Sequence, residues 1–146
     1  MNSSTNKMEE KFNKLLLIKS MMTAYRMVES DLRAFLKPHG ITLQQYNVLK
    51  ILRGANEPLS TSKIRERMLE PMADSSRLVE RLCAKGWVKR NACCKDRRLV
   101  DVTISKEGAS FLDHIPAMDS VLDKLYRKIN SNEASTLNKL LNKMRK

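Results

Sequence analysis

The sequence is poor in aromatic residues and has no long apolar run. Aromatic residues make up 5% of the 146 residues, so the core must be mainly aliphatic, with nine methionines as adaptable filler. The longest purely apolar stretch, residues 15–18, is far shorter than the roughly 20 residues that a membrane-spanning helix needs. The first 14 residues lack the apolar centre of a signal peptide. We therefore expect a cytoplasmic protein with no membrane partner.

Cysteine and histidine are also scarce. The three cysteines, Cys83, Cys93 and Cys94, are an odd number without CxxC spacing, which fits a reducing compartment better than a disulfide-stapled domain. His39 and His114 are distant from them in sequence and show no HxxxH or HExxH spacing, so neither a metal site nor a cofactor is predicted. Because no nucleophile–base pair or glycine-rich phosphate loop is recognisable, we do not expect an enzyme.

What the chain has in excess is positive charge. Its 28 Lys and Arg residues against 16 Asp and Glu give a net charge of +12 at pH 7. Such an excess favours an anionic partner, with nucleic acid ahead of a membrane surface, although a solvated basic face would give the same number. The positions of the cations therefore decide between an anionic partner and a solvated basic face. Many lie in one segment: Arg77, Arg81, Lys85, Lys89, Arg90, Lys95, Arg97 and Arg98.

The spacing of the apolar residues predicts a mainly α-helical chain with one small β-hairpin. Apolar residues recur every three or four positions along most of the chain, and after Gly86 the period changes to two. Helices are predicted over residues 11–37, 43–53, 62–69, 72–85 and 105–130 and after residue 131, and strands over residues 87–91 and 98–104.

Residues typical of helix ends stand at these boundaries. Thr42 and Gln45 have the spacing of a capping box. Gly86 is expected to close the fourth helix, and Pro116 is expected to kink the fifth. For the third and last helices the sequence offers two N-cap candidates each: Ser60 or Thr61, and Ser131 or Asn132.

The order of helix, helix, turn, helix and hairpin is the layout of a winged helix-turn-helix. In that fold the last helix enters the major groove, and the hairpin lies along the DNA backbone or minor groove. Arg77 and Arg81 are four residues apart and share one helical face, which Lys85 continues. The cations thus cluster on the two elements that would meet a duplex, which favours DNA binding over an unrelated basic face.

Two neighbouring segments resemble the recognition helix and wing of the MarR family of bacterial winged-helix transcription regulators. They are "SRLVERLCAKGWVKR" and "DRRLVDVTIS". The wing signature of that family is Asp-x-Arg-x-x-x-Val-x-Leu-Thr, which here reads Asp96, Arg98, Val102, Ile104 and Ser105. Ile for Leu and Ser for Thr are conservative departures.

The resemblance implies a homodimer that binds double-stranded DNA on the bacterial nucleoid and is more often a repressor than an activator. It implies a single domain, residues 1–146, in which helices 11–37 and 105–145 form the dimer. Residues 42–104 would be the winged helix-turn-helix DNA-binding lobe. Two recognition helices about one DNA turn apart, ~34 Å, would read a pseudo-palindromic operator.

The family's pattern also implies roles for single residues. Arg98 would reach from the wing into the minor groove, and Asp96 would pair with Arg81 to orient the wing, unless Asp96 is a plain turn residue. The amides that open the third helix can hold a phosphate, although Ser60 serves as a cap in either case. The expected DNA-binding residues are Ser60, Thr61, Ser62, Asp74, Ser75, Ser76, Arg77, Arg81, Lys85, Lys89, Arg90, Lys95, Arg97 and Arg98.

The sequence is compatible with two mechanisms that would release the protein from DNA. Family members usually release DNA when a small aromatic effector binds between the dimer helices and the DNA-binding lobe. Side chains that would line this crevice, or that are simply core, are Met21, Met22, Tyr25, Tyr46, Phe111 and Met118. The other switch is thiol oxidation: Cys93 and Cys94 lie beside Lys95, which favours the thiolate, and Cys83 lies in the basic helix. The interpretation that we favour is three inert thiols.

A second functional class is a sequence-independent, architectural nucleic-acid-binding protein. Its binding would depend steeply on salt with little preference among sequences, whereas a regulator prefers its operator by roughly 4–10 kcal/mol.

Overall fold

Seven α-helices and three short β-strands follow one another along residues 3–69, 74–92 and 100–145, which are the residues that the computed structural model describes. The helices are α1 (Ser3–Leu36), α2 (Leu43–Arg53), α3 (Thr61–Arg67), α4 (Ser75–Ala84), α5 (Lys106–His114), α6 (Asp119–Tyr126) and α7 (Ser131–Met144). The strands are β1 (Leu59–Ser60), β2 (Val88–Ala92) and β3 (Val100–Ile104). The predicted class, mainly α with a small β element, is confirmed. None of the described helices combines the length and the apolar character that crossing a bilayer requires.

The first helix begins earlier than predicted, at Ser3 instead of residue 11. A 3-10 turn over Lys37–His39 follows its last residue, Leu36. Gly40 then has a left-handed backbone with φ of 67°, and its N–H donates to the Lys37 carbonyl oxygen at 3.1 Å. Glycine suits this conformation because it has no Cβ to clash with the backbone. This corner directs the chain from α1 into α2.

Two predicted N-caps are confirmed. Thr42 and Gln45 form the capping box of α2: each residue's N–H donates to the other's side-chain oxygen at 3.2 Å. Ser60 caps α3, since its Oγ accepts a hydrogen bond from the Lys63 N–H at 3.2 Å. Of the two candidates for that helix, Thr61 is therefore the first helical residue.

The prediction of one kinked helix over residues 105–130 is wrong. α5 ends at His114, and α6 begins only at Asp119, so that Pro116 lies in a break between two helices. Proline has no N–H to donate, and it pushes the preceding residue out of the helical region. Ile115 accordingly has an extended backbone with ψ of 122°.

The predicted cap of the last helix is also wrong, by one residue. Asn130 occupies the N-cap, where its Oδ1 accepts hydrogen bonds from the Asn132 and Glu133 N–H groups, both at 3.0 Å. The Glu133 carboxylate accepts in turn from the Asn130 N–H at 2.8 Å, which completes a capping box. Asn130 and Glu133 are three residues apart, which is the capping-box spacing, so this cap could have been recognised in the sequence.

Within the described residues the sheet has three strands, where the sequence predicted two. β3 lies in the centre and pairs antiparallel with both β1 and β2, with Leu59 opposite Val102 and Val88 opposite Ile104. A strand of two residues has no detectable period, which explains why β1 was missed. Its effect is to attach the wing, meaning β2, β3 and the residues between them, to the start of α3.

The core lies between the short helices and the sheet, at one end of α1. Its fully buried side chains are Leu36, Val48, Leu49, Leu59, Ile64, Val79, Leu82 and Val102. α1 contributes only its last residue to this set. Most of the apolar residues in the first two thirds of α1 are exposed, among them Phe12 at 64% and Met22 at 63%. One chain alone therefore covers only part of its apolar surface.

Candidate nucleic-acid interface

α4, the predicted recognition helix, has one buried and one exposed face. Leu78, Val79 and Leu82 pack into the core as predicted. The opposite face presents Arg77 and Arg81 to solvent. This division follows from helical spacing, because residues three and four apart share a face. The cations of α4 are therefore available to a ligand outside the protein.

Gly86 ends α4 in the conformation that its position predicted. Its φ is 73°, its N–H donates to the Cys83 carbonyl oxygen at 2.8 Å, and the Trp87 N–H donates to the Leu82 carbonyl oxygen at 3.0 Å. These two bonds form a Schellman motif, which satisfies the last carbonyls of the helix. The motif turns the chain directly from α4 into β2.

The start of α4 places two serines differently. Ser75 is buried and Ser76 is exposed, so of the two only Ser76 presents its side chain to solvent, and the DNA contacts of both stay predictions. Asp74 occupies the N-cap position without a side-chain cap bond. Its carboxylate lies 3.5 Å from Arg77 Nε, and both side chains are more than half exposed. Such a surface pair contributes about 0–1 kcal/mol, so it does not prevent Arg77 from moving to another anion.

Lys85 does not extend the row of Arg77 and Arg81. Its Nζ lies 3.1 Å from the carbonyl oxygen of Gly40 and 3.5 Å from Gln45 Oε1. Helical spacing fixes where a long side chain starts and leaves open where its charged end lies. Lys85 is an exposed residue whose ammonium group contacts these two acceptors of the same chain, and its expected contact with DNA stays a prediction.

The first strand of the wing carries two of the expected cations. Lys89 and Arg90 lie on β2, and both residues are exposed. Arg90 NH1 lies 3.7 Å from Glu80 Oε1 on α4, a pair that sequence analysis missed although Glu80 is one of few acids in this basic segment. The pair links the wing to the recognition helix.

Three of the expected wing cations lie outside the described residues. The structure does not describe residues 93–99, which include Cys93, Cys94, Lys95, Asp96, Arg97 and Arg98. The expected pair of Asp96 with Arg81 therefore stays a prediction, as does the minor-groove role of Arg98.

The N-terminal residues of α3 make local contacts. Thr61 is half-buried behind the Ser60 cap, and Ser62 is exposed, with its Oγ 3.5 Å from Glu66 Oε1. A nearby carboxylate disfavours an anion by like-charge repulsion. These two residues remain expected rather than observed phosphate contacts.

Cys83 is half-buried on α4 beside the core. Burial raises the pKa of its thiol, the Arg90 charge opposes that shift, and the Glu80 charge reinforces it. A raised pKa means less thiolate at neutral pH, and the thiolate is the reactive form. This direction supports the interpretation of Cys83 as an inert thiol, which stays a prediction.

The six side chains expected to line one effector crevice lie at different places in the structure. Tyr25 lines a cavity of about 300 Å³ between α1, α2 and the end of α3, together with Leu32, Leu43 and Met68. Tyr46 and Met118 line a different pocket beside Pro116. Burial raises the pKa of Tyr46, which the charge of Arg53 opposes.

The other three crevice candidates lie elsewhere. Phe111 stacks on Trp87 with ring centroids 4.0 Å apart. Met21 is half-buried and Met22 exposed on α1. Within the described residues, no group of three His, Cys, Asp or Glu side chains could hold a metal ion.

Comparison with known proteins identifies relatives of this chain. The sequence profile of the MarR family matches residues 39–99. The chain is 30% identical over 118 residues to the multiple antibiotic resistance protein MarR of Salmonella typhimurium, across 77% of this chain and 79% of that protein. It therefore has a MarR protein as a relative along most of its length.

Two solved structures share the fold. A MarR mutant from Escherichia coli complexed with operator DNA has a TM-score of 0.79 and 25% identity, and the match covers 91% of this chain and 96% of that one. The MepR–DNA complex from S. aureus has a TM-score of 0.77 and 17% identity, and the match covers 86% of this chain and 93% of that one. The sequence match, the family profile and the winged-helix geometry agree, and this chain belongs to the MarR family of transcriptional regulators.

Proposed function

We propose that this protein is a sequence-specific transcriptional regulator that acts as a repressor. It would bind a pseudo-palindromic operator in double-stranded DNA as a homodimer. The observation that carries the proposal is the exposed face of α4, on which Arg77 and Arg81 lie opposite the buried Leu78 and Leu82. A helix of this kind fits the major groove, where arginine recognises the O6 and N7 atoms of guanine. The family relatives are regulators, which supports a non-enzymatic role.

The DNA contacts would divide between bases and backbone. Ser76, Arg77 and Arg81 lie on α4, where they can reach base edges. Lys89 and Arg90 on β2 can contact phosphates, together with the cations of residues 95–98. Phosphate contacts fix the position of the protein, and base contacts give it sequence preference.

A second copy of this chain would cover the exposed apolar faces of α1 and α7. Those faces carry Met8, Phe12, Leu15, Leu16, Leu17, Ile18, Met22, Tyr25, Met27, Leu137, Leu140 and Met144, each at least 48% exposed. An apolar surface of this extent on a single chain marks an interaction site. Residues 11–37 and 105–145 would then form the dimer and residues 42–104 the DNA-binding lobe, which agrees with a core confined to one end of α1.

Release from DNA would follow the binding of a small, mainly apolar effector. The cavity beside Tyr25 supports this role, because α1 and α2 both contribute to its walls. A ligand there acts only if it binds one arrangement of the two helices more tightly than the other. A thiol switch at Cys83 has less support, since burial disfavours its thiolate.

The test is selection of bound duplexes from a random DNA pool. We expect an inverted repeat whose half-site centres are about 10 bp apart. The alternative, a sequence-independent architectural protein, predicts no enriched sequence together with a steep salt dependence. A single unrepeated half-site would contradict the homodimer and leave the recognition helix in place.

A further inference from the structure

We propose that Lys85 is a positioning residue, whose ammonium group fastens the C-terminal end of α4 to the corner between α1 and α2. Through that contact it sets the orientation in which Arg77 and Arg81 are presented to DNA. The inference rests on the proposed function, because it assigns a role within the same interface. It also replaces the direct DNA contact that helical spacing suggested for Lys85.

The geometry joins three elements that are distant in sequence. Lys85 is the C-cap of α4, where its N–H donates to the Arg81 carbonyl oxygen at 3.1 Å. Its Nζ donates to the Gly40 carbonyl oxygen at 3.1 Å and approaches Gln45 Oε1 at 3.5 Å. Gly40 ends the corner after α1, and Gln45 belongs to the first turn of α2. One ammonium group therefore spans both sides of the corner.

Both acceptors are held in place independently of Lys85. Gln45 is buried, and its Oε1 already accepts from the Thr42 N–H at 3.2 Å in the capping box. Gly40 is fixed in its left-handed conformation by the hydrogen bond from its N–H to Lys37. Preorganised acceptors define where the cation lies, because neither has to be ordered when the contact forms. The corner is thus the fixed partner, and the end of α4 is the part that is positioned.

An aromatic pair adds to the same contact. Lys85 Nζ lies 4.4 Å from the centroid of the Trp87 ring, which is within the range of a cation–π interaction. The Trp87 ring stacks on Phe111 of α5 at 4.0 Å with an angle of 20° between the planes. The ammonium group therefore meets two acceptors and one ring, which together account for its direction. A phosphate contact would require it to leave these partners.

Lys85→Met tests the role, because methionine keeps an apolar stem and removes the charge. If Lys85 positions α4, affinity for the selected operator falls by about threefold to tenfold, the effect of losing a charged hydrogen bond and a cation–π contact. The slope of log affinity against log salt then stays at its wild-type value. A direct phosphate contact would instead reduce that slope by about 0.9.

Lys89→Met is the matched control, since it removes the same charge from the exposed surface of β2. It is expected to reduce the salt slope, in contrast to Lys85→Met. Gln45→Met provides an independent variant, because it removes one acceptor of the Lys85 ammonium group at a buried residue. Its loss of affinity should be smaller in the Lys85→Met background than in the wild type, as expected for two residues in contact.

Trp87 is the only tryptophan of the chain, so its fluorescence reports on the contact without DNA. We expect Lys85→Met to change the Trp87 emission of the free protein and Lys89→Met to leave it unchanged. Unchanged affinity in Lys85→Met, or a salt slope reduced by about one, overturns the positioning role. Failure of the wild type to prefer any operator overturns the proposed function instead, while the emission still shows whether Lys85 contacts Trp87.

Discussion

Ser105 donates a hydrogen bond from its Oγ to the carbonyl oxygen of Gly86 at 2.6 Å, and so joins the end of the wing to the end of the recognition helix. The same Oγ accepts from the Gly108 N–H at 2.9 Å as the N-cap of α5. Ser105 is only 3% exposed, so water cannot replace either bond. One buried hydroxyl therefore connects α4, β3 and α5.

Ser105→Ala should destabilise the protein by about 2 kcal/mol, because it removes an N-cap and leaves the Gly86 carbonyl without its side-chain donor. Urea unfolding measures this loss. Ser110→Ala is the control, since Ser110 is an exposed residue of the same helix. Equal stabilities for the two variants would mean that the Ser105 contacts contribute nothing.

Gly108→Ala should be more damaging, because a Cβ at Gly108 would lie 2.1 Å from the Trp87 carbonyl oxygen. Since that oxygen belongs to the backbone, α5 and β2 would have to separate, at a cost of about 3 kcal/mol or more. Gly54→Ala is the matched variant, as the nearest atom to its Cβ would be 3.5 Å away. Thermal unfolding should show a large loss for the first variant and a change within about 1 kcal/mol for the second.

Arg77→Ala should relax the preference at one operator base by roughly 1–3 kcal/mol, if the guanidinium binds a base in a bidentate manner. Because the Arg77 side chain is 74% exposed, the fold should be unaffected. Competition among operators with single-base changes measures the effect. Arg53→Ala removes the same charge from α2 and should leave base preferences unchanged. A loss that is uniform across sequences would instead identify Arg77 as a phosphate contact.

Cys83 should react slowly with iodoacetamide. Burial raises the pKa of its thiol, so at any pH below that value the thiolate fraction is smaller than in a free cysteine. In a variant carrying Cys93→Ser and Cys94→Ser, the rate of alkylation should therefore rise at a higher pH than for free cysteine. A profile shifted to lower pH would make Cys83 a candidate redox sensor after all.

Local signals in the sequence were sufficient for much of the fold. The Thr42–Gln45 capping box, the glycine that closes α4 and the buried face of α4 depend on neighbours within one or two helical turns, and all three are confirmed. β1 could not be found in this way, because its two residues form a strand only through their pairing with β3.

The candidate interface was predictable only in part, because sequence patterns report contacts between near neighbours and miss contacts between distant residues. Helical spacing correctly placed Arg77 and Arg81 together on the exposed face of α4. It could not predict the contact made by Lys85, because the acceptor of its hydrogen bond is Gly40, a residue 45 positions away. The burial of Ser75 was not predicted, because only one helical step separates it from the exposed Ser76.

The most direct test of the central claim is the stoichiometry of the complex with the selected operator, measured by analytical ultracentrifugation. If two copies of the chain, joined through α1 and α7, present their α4 helices to one duplex, the complex contains two chains for each inverted repeat. A complex of one chain per duplex at saturation would contradict the account.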